Sequence, residues 1–279
     1  MSSDLNKKVI IVTGATSGIG EVTARTLAAQ GWQVLVVSRN AQKTRSLAER
    51  IQHDGGDALA FSADLSSIQE IRRVAMEIHQ QVDRVDVLMN NAGALFISHQ
   101  LSTDGLEMSF ALNHLNYFLL TRELMGLIQK GTHARIVNIS SAAHLSGHID
   151  FEDLQSEKSF SGWRAYSATK LMNVLFTYEL SRRLAGTGIT ANVLHPGFVA
   201  TNFGKSNGGI YVPVFDVAHL GAISPREGAK TMLHLASSPL VEGVSGKYFV
   251  QSKVARSSRE SYDLTVAARL WDVSERLTA

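Results

Sequence analysis

Thr13-Gly14-Ala15-Thr16-Ser17-Gly18-Ile19-Gly20 joins a β-branched run, Val9-Ile10-Ile11-Val12, to a helix-like run from Glu21 to Gln30. Glycines at such a strand-to-helix corner let the backbone turn sharply and come close to a ligand. They also aim that ligand at the positive end of a helix, which suits a pyrophosphate. The spacing here, three residues between Gly14 and Gly18 and one before Gly20, differs from the commoner G-x-G-x-x-G dinucleotide fingerprint. Taken alone, the corner is equally an ordinary βα turn, so the rest of the chain has to decide.

Outward from the corner, strand-like and helix-like runs alternate. Val9–Val12, Val34–Val37, Leu59–Ala63, Val85–Met89, Ile136–Ile139 and Ala191–Leu194 are short, apolar and rich in Val and Ile, as buried parallel strands are. Amphipathic segments lie between them: Glu21–Gln30, Gln42–His53, Ser67–Gln81, a long stretch over Gly105–Gln129, and Arg164–Leu184. Gly31 and Gly186 are placed to stop two of these helices. Lys247–Val250 reads as a final edge strand and Arg259–Leu277 as a C-terminal helix. The alternation predicts one α/β domain over residues 1–279, a doubly wound parallel sheet with helices on both faces. Gly197–Ser224 breaks the rhythm. It is too long for an ordinary connection and carries Phe198, Phe203, Tyr211 and Phe215, so a substrate loop is expected there.

Composition narrows the classes. The 279 residues are 44% hydrophobic, enough for one buried core. A balance of 27 basic against 25 acidic residues, without a basic stripe, argues against nucleic acid as a partner. No cysteine is present, which excludes disulfides, thiolate metal sites and a thiol nucleophile. Neither a metal site nor a membrane span is expected. The first residues lack an apolar run, so a cytoplasmic protein is expected.

Several residues stand where chemistry could occur. In Tyr166-Ser167-Ala168-Thr169-Lys170 the phenol and the ammonium are four apart and share a helix face. A nearby cation favours the phenolate, which would bring Tyr166 into range for proton transfer. Ser140-Ser141 follows the Ile136–Ile139 strand, at the sheet end where ligands bind in open α/β folds. The same serines would serve as helix caps. Asn90-Asn91-Ala92-Gly93 ends the Val85–Met89 strand and could be a simple turn. Asn113 sits inside a helix-like segment, where Asn is unfavourable, and so marks a kink or a functional polar group. The second strand ends in Ser38-Arg39-Asn40 with no carboxylate. In dinucleotide folds an acidic residue there selects NAD, whereas an Arg accommodates the 2′-phosphate of NADP. Arg39, with Lys43 in the next helix, therefore predicts NADP(H).

In their order these motifs resemble the short-chain dehydrogenase/reductase family, over Val9 to about Gly246. The resemblance implies a Rossmann-type fold and a catalytic set of Asn113, Ser141, Tyr166 and Lys170. Ser141 is preferred to Ser140 because the second Ser of the pair usually faces substrate in that family. Tyr166 would exchange a proton with the carbonyl oxygen, Lys170 would bond the nicotinamide ribose, and Asn113 would hold a relay water. The resemblance implies cofactor contacts from Gly14, Thr16, Ser17, Gly18, Ile19, Gly20, Arg39, Asp64, Leu65, Asn91, Ala92, Gly93, Tyr166 and Lys170. It extends them to Pro196, Gly197, Val199 and Thr201.

Tyr166 follows Ser141 by 25 positions, longer than usual in the family, and the insert His148–Lys158 is similar to that of the retinol dehydrogenase and WW-domain oxidoreductase branch. The missing N-terminal apolar run points to a relative with carbonyl or alcohol substrates other than retinoids. A homodimer or homotetramer is expected by analogy and from the apolar surplus of Phe110–Leu127 and Leu171–Leu184. The competing readings are a catalytically silent cofactor sensor and a carbon–carbon double-bond reductase. The sensor is disfavoured by the presence of both Tyr166 and Lys170, and the reductase by the absence of cysteine.

Overall fold

The computed structural model describes residues 7–199 and 222–279. Among them, seven strands run parallel: β1 (Val9–Thr13), β2 (Gln33–Ser38), β3 (Asp57–Ser62), β4 (Val87–Asn90), β5 (Arg135–Ile139), β6 (Thr190–His195) and β7 (Tyr248–Val250). A short β8 (Lys253–Ala255) returns antiparallel along the edge. The order is β3-β2-β1-β4-β5-β6-β7-β8. Chain direction across the sheet reverses between β1 and β4, which opens a crevice at their carboxyl ends.

The α-helices among the described residues are α1 (Gly18–Ala29), α2 (Ala41–His53), α3 (Ile68–Gln81), α4 (Met108–Phe110), α5 (Asn116–Ile128), α6 (Gly162–Arg183), α7 (Pro225–Ser237) and α8 (Leu264–Leu277). Alternate residues of a strand point to opposite faces, and β1 shows the consequence. Ile10 and Val12 pack with Leu27, Leu47, Ile51, Met232 and Leu235 under α1, α2 and α7. Val9 and Ile11 pack with Val74, Ile78, Leu124 and Phe176 under α3, α5 and α6. All five residues of β1 are buried, so the near-continuous apolar run is what a sheet covered on both faces requires.

The structure differs from the sequence expectation at several boundaries. Val85 and Asp86 precede β4, and Asp86 instead accepts from the Val9 and Thr132 amides, tying three segments together at the amino end of the sheet. The long stretch over Gly105–Gln129 is divided by a π turn, Ala111–Leu115, with Asn113 at its centre. The C-terminal helix begins at Leu264 rather than Arg259, because Asp263 caps the Thr265 and Val266 amides. Helix α7 was not anticipated, although Ser224-Pro225 is a cap followed by Pro at the first position, a helix-start signature. Gly31 and Gly186 do end their helices, at φ of 85° and 82°. Most of the expected substrate loop over 197–224 lies outside the described residues, as does Thr201.

Helix α8 explains the apolar surplus of α5 and α6. Its Ala267 and Leu270 pack with Phe110, Leu171 and Leu175. Trp271 lies 4.9 Å from the Phe118 ring and 5.9 Å from the Phe176 ring, with the Arg183 guanidinium 4.1 Å above it. The faces expected to meet a partner subunit are therefore covered within the chain.

Candidate active site

At the glycine corner, Gly14 has φ 65° and Gly18 φ 58°, backbone that only glycine adopts without strain. A Cβ on Gly14 would stand 2.9 Å from the Ala92 Cα, and one on Gly20 would stand 2.6 Å from the Gly14 carbonyl oxygen. The corner is thus pressed against the loop that follows β4. Thr13 Oγ1 accepts from the Asn91 and Ala92 amides, and the Asn91 side chain donates to the Thr13 carbonyl at 2.7 Å. The side-chain nitrogen of Asn91 and the amides of Asn91 and Ala92 are a brace, which leaves the carbonyls of this loop and the Gly93 backbone for a ligand. Ser17, ahead of α1, is extended and makes no side-chain cap, which leaves the first amides of α1 to an anion. A corner of this geometry with open helix amides fits the pyrophosphate of a nicotinamide dinucleotide.

Across the crevice, β5 delivers the two serines. Ser140 is buried and donates to the Lys170 carbonyl at 2.7 Å, so it fastens α6 and is spent on structure. Ser141 is half-buried and caps the following turn by accepting from the Ala143 amide, which leaves its hydroxyl proton for a partner across the crevice. Its side chain is hydrogen-bonded with Tyr166. Helix α6, capped by Ser161, carries Tyr166 and Lys170 one turn apart, both buried. Lys170 Nζ donates to the Ile139 carbonyl at 3.3 Å and lies 5.5 Å from the Tyr166 ring and 5.9 Å from that of Tyr117. A Cβ on Gly93 would come within 3.0 Å of Asn113 Oδ1 and 3.4 Å of Lys170 Nζ, so a glycine there leaves room for both.

Burial dominates the electrostatics. It pushes Tyr166 up to about 12, against a lowering by the Ser141 hydrogen bond, and pushes Lys170 down to about 7. The lowering of Tyr166 expected from the neighbouring cation is outweighed, because desolvation disfavours both charged forms. The phenol is thus held neutral, as a proton donor to a carbonyl must be. Asn113 occupies its predicted place, but its amide is committed: Oδ1 accepts from the Ala94 amide, and Nδ2 donates to the Ala94 carbonyl and Thr169. Asn113 locks the loop after β4 to α6.

The remaining predicted contacts ring the crevice. Arg39 is exposed where β2 ends, Lys43 is exposed in the first turn of α2, and that turn holds no acidic residue. The buried Ser38 hydroxyl just before them has no partner. Asp64 accepts from the Ser66 amide and hydroxyl, and Leu65 is buried beside it at the end of β3. Pro196 and Gly197, the latter at φ 94°, leave β6, and Val199 bridges to Ile223. Val199 and Ile19 both crowd Gly228 of α7, at 2.6 and 3.0 Å from where its Cβ would be. The sequence reading missed Gly228, and it missed Asn173, which is wholly buried and donates to the Asn113 carbonyl. The signal for Asn173 was available: it follows Tyr166 by seven residues and Lys170 by three, on the same helix face.

The comparisons agree with this geometry. The family model of short chain dehydrogenases matches residues 8–208. The chain is 40% identical to retinol dehydrogenase 14 of Mus musculus, covering 97% of this chain and 86% of that protein. It is 41% identical to retinol dehydrogenase 13 of Homo sapiens, covering 97% and 84%. Among solved structures, an uncharacterized protein from Mycobacterium paratuberculosis superposes with a TM-score of 0.79 at 34% identity, covering 98% of this chain and 93% of that one. The actinorhodin polyketide ketoreductase with NADPH superposes with a TM-score of 0.71 at 28% identity, covering 89% and 97%. A glycine corner facing Ser141, Tyr166 and Lys170 across the sheet crevice, on a chain matched along most of its length, makes this protein a short-chain dehydrogenase, an oxidoreductase of the alcohol–carbonyl pair that uses a nicotinamide cofactor.

Proposed function

We propose that the chain interconverts an apolar aldehyde or ketone and its alcohol with NADP(H), using Tyr166 as general acid and base. The observation that carries this reading is the Ser141–Tyr166–Lys170 cluster at the carboxyl end of β5, with Tyr166 and Lys170 buried. When bound, the nicotinamide supplies or accepts the hydride. Ser141, whose hydroxyl is hydrogen-bonded with Tyr166, turns to donate to the carbonyl oxygen of a bound substrate and orients it. Tyr166 gives that oxygen its phenolic proton during reduction and takes it back during oxidation. Lys170 stands one turn away, on the side of the corner and Gly93, where it holds the nicotinamide ribose and favours the transient phenolate. Exposed Leu145 and Trp163 flank Ser141 and Tyr166, and exposed Phe198 follows Gly197, which supports an apolar substrate. The retinol dehydrogenase relatives place retinoids in the panel to be tested.

NADP(H) is supported by Arg39, with Lys43 behind it and no carboxylate in that turn. Hydrogen bonds to a charged group contribute on the order of 1.5–3 kcal/mol, roughly ten- to a hundredfold in affinity. Ser38→Asp with Arg39→Ala should move kcat/KM from NADPH toward NADH by about that factor. A parent that already prefers NADH overturns the choice of NADP(H). Tyr166→Phe should bind cofactor as the parent does and lose about a thousandfold in kcat on an aldehyde and retinal panel. Retention of kcat in that variant removes Tyr166 from the mechanism. A parent that binds NADPH and turns over nothing in the panel would be the sensor instead.

A further inference from the structure

Asn173 is buried on α6 three residues beyond Lys170, and its amide touches two other elements, the π turn and β5. Nδ2 donates to the Asn113 carbonyl in the π turn at 2.9 Å and to the Ile139 carbonyl at the end of β5 at 3.2 Å. Lys170 Nζ donates to that same Ile139 carbonyl. Two carbonyls facing one amide nitrogen fix which way the amide points, because the flipped rotamer would set three acceptors together. Oδ1 then faces His114 Nδ1 at 3.3 Å, and His114 Nε2 lies 3.0 Å from Ser274 Oγ on α8. With Oδ1 an acceptor, a neutral His114 carries its proton on Nδ1, so Nε2 is an acceptor facing the Ser274 hydroxyl, whose proton is shared with the Leu270 carbonyl at 2.8 Å within α8. Burial, which pushes His114 down to about 4, keeps the ring neutral. The orientation thus propagates inward from the C-terminal helix: hydroxyl, imidazole, amide, and then the Asn113 carbonyl and the Ile139 carbonyl that Lys170 also uses.

We infer that Asn173 is a positioning residue that sets where the Lys170 ammonium stands relative to Tyr166 and the cofactor, and that Ser274 and His114 hold it in that orientation. Asn173 does so by pinning the π turn and the end of β5 at a fixed separation and by sharing the Ile139 carbonyl with Lys170. A lysine held there only at 3.3 Å is kept in place yet released readily toward a ribose. This inference rests on the roles proposed above for Tyr166 and Lys170.

The test compares Asn173→Leu, which keeps the volume and removes every hydrogen bond, with Ser274→Ala and Lys170→Ala in the full-length protein. NADPH affinity, followed by fluorescence titration, should fall roughly tenfold in Asn173→Leu, in the same sense as in Lys170→Ala, and less in Ser274→Ala. Alcohol oxidation should also shift. A displaced ammonium favours the Tyr166 phenolate less, so the acid limb of the kcat profile should move to higher pH. The phenol of Tyr117, the other titratable group facing Lys170, is the same in all variants. A merely structural role would scale the profile down without moving it. Parental NADPH affinity and an unmoved limb in folded Asn173→Leu overturn the inference. Should that variant fail to fold, the same result in Ser274→Ala overturns it. If the parent binds NADPH but oxidises no alcohol, the proposed function fails while the binding arm still decides the inference.

Discussion

His114 is wholly buried, stacked 5.8 Å from the Phe110 ring and edge-on to Phe176, and no charged group takes part in its hydrogen bonds to Asn173 and Ser274. Its folded pKa of about 4 lies below the ordinary 6.5. Between those values the unfolded chain takes up a proton that the folded one refuses. Stability is therefore complete above about pH 6.5 and declines as the pH falls toward 4, by about 3 kcal/mol for this one residue. His144 and His195 are also depressed by burial and add to the decline. Thermal melts of the parent and His114→Gln from pH 7 to about pH 4 should show a shallower fall in the variant. Equal slopes would mean that His114 does not govern it. At this scale the sequence was informative where residue type conflicts with local structure. Asn113 was marked as out of place in a helix, and it sits in the π turn. Asn173 is likewise an interior helix Asn on the face of Tyr166 and Lys170, but its partners come from β5 and the π turn, which the sequence does not name.

The glycine corner is the element whose failure is easiest to separate from general instability. Gly20→Ala places a methyl 2.6 Å from the Gly14 carbonyl oxygen and 2.7 Å from Asn91 Nδ2, both in the brace that shapes the pyrophosphate turn. The corner must open, at roughly 1–3 kcal/mol for an overpacked position, and NADPH affinity should drop at least about tenfold. Gly31→Ala is the control. It meets nothing within 4 Å but forces φ 85° on a residue with a Cβ, so it should cost about 1 kcal/mol and leave NADPH binding unchanged. Calorimetric titration of both variants checks this, and equal cofactor losses would contradict the assignment. Strands and helices were legible because their periods of 2 and 3.6 are written into the chain, and the ends were less so. The end of β4 and the start of α8 depend on hydrogen bonds from Asp86 and Asp263, whose partners a periodicity does not reveal.

On the scale of the molecule, α8 is the piece that closes the structure. Trp271 fills the space between Phe118 and Phe176 and lies under Arg183, so Trp271→Ala should destabilise the fold by about 2–4 kcal/mol, through lost packing and a lost cation–π contact. Chemical denaturation reads this directly, and a change below about 0.5 kcal/mol would mean that α8 is only loosely docked. Helix α8 supplies cover for the apolar surplus of α5 and α6 within the chain, and sedimentation of the parent at micromolar concentration reads whether copies assemble. The apolar surplus was read from the chain as a reason to expect a partner. Periodicity counts how many apolar residues a helix carries and is silent on whether the cover comes from another subunit or from a helix about a hundred residues later. By itself the sequence determined the α/β class, the strand and helix alternation, the glycine corner, the serine pair after β5 and the pairing of Tyr166 with Lys170. Each is a matter of local pattern: backbone freedom, period, or two side chains one helical turn apart. Only the tertiary structure decided that Ser140 is structural while Ser141 faces Tyr166, that burial outweighs the ammonium in setting the phenol, and that Asn173 ties the catalytic helix to β5. Those outcomes depend on desolvation and on contacts between distant segments, which exist only once the chain has packed.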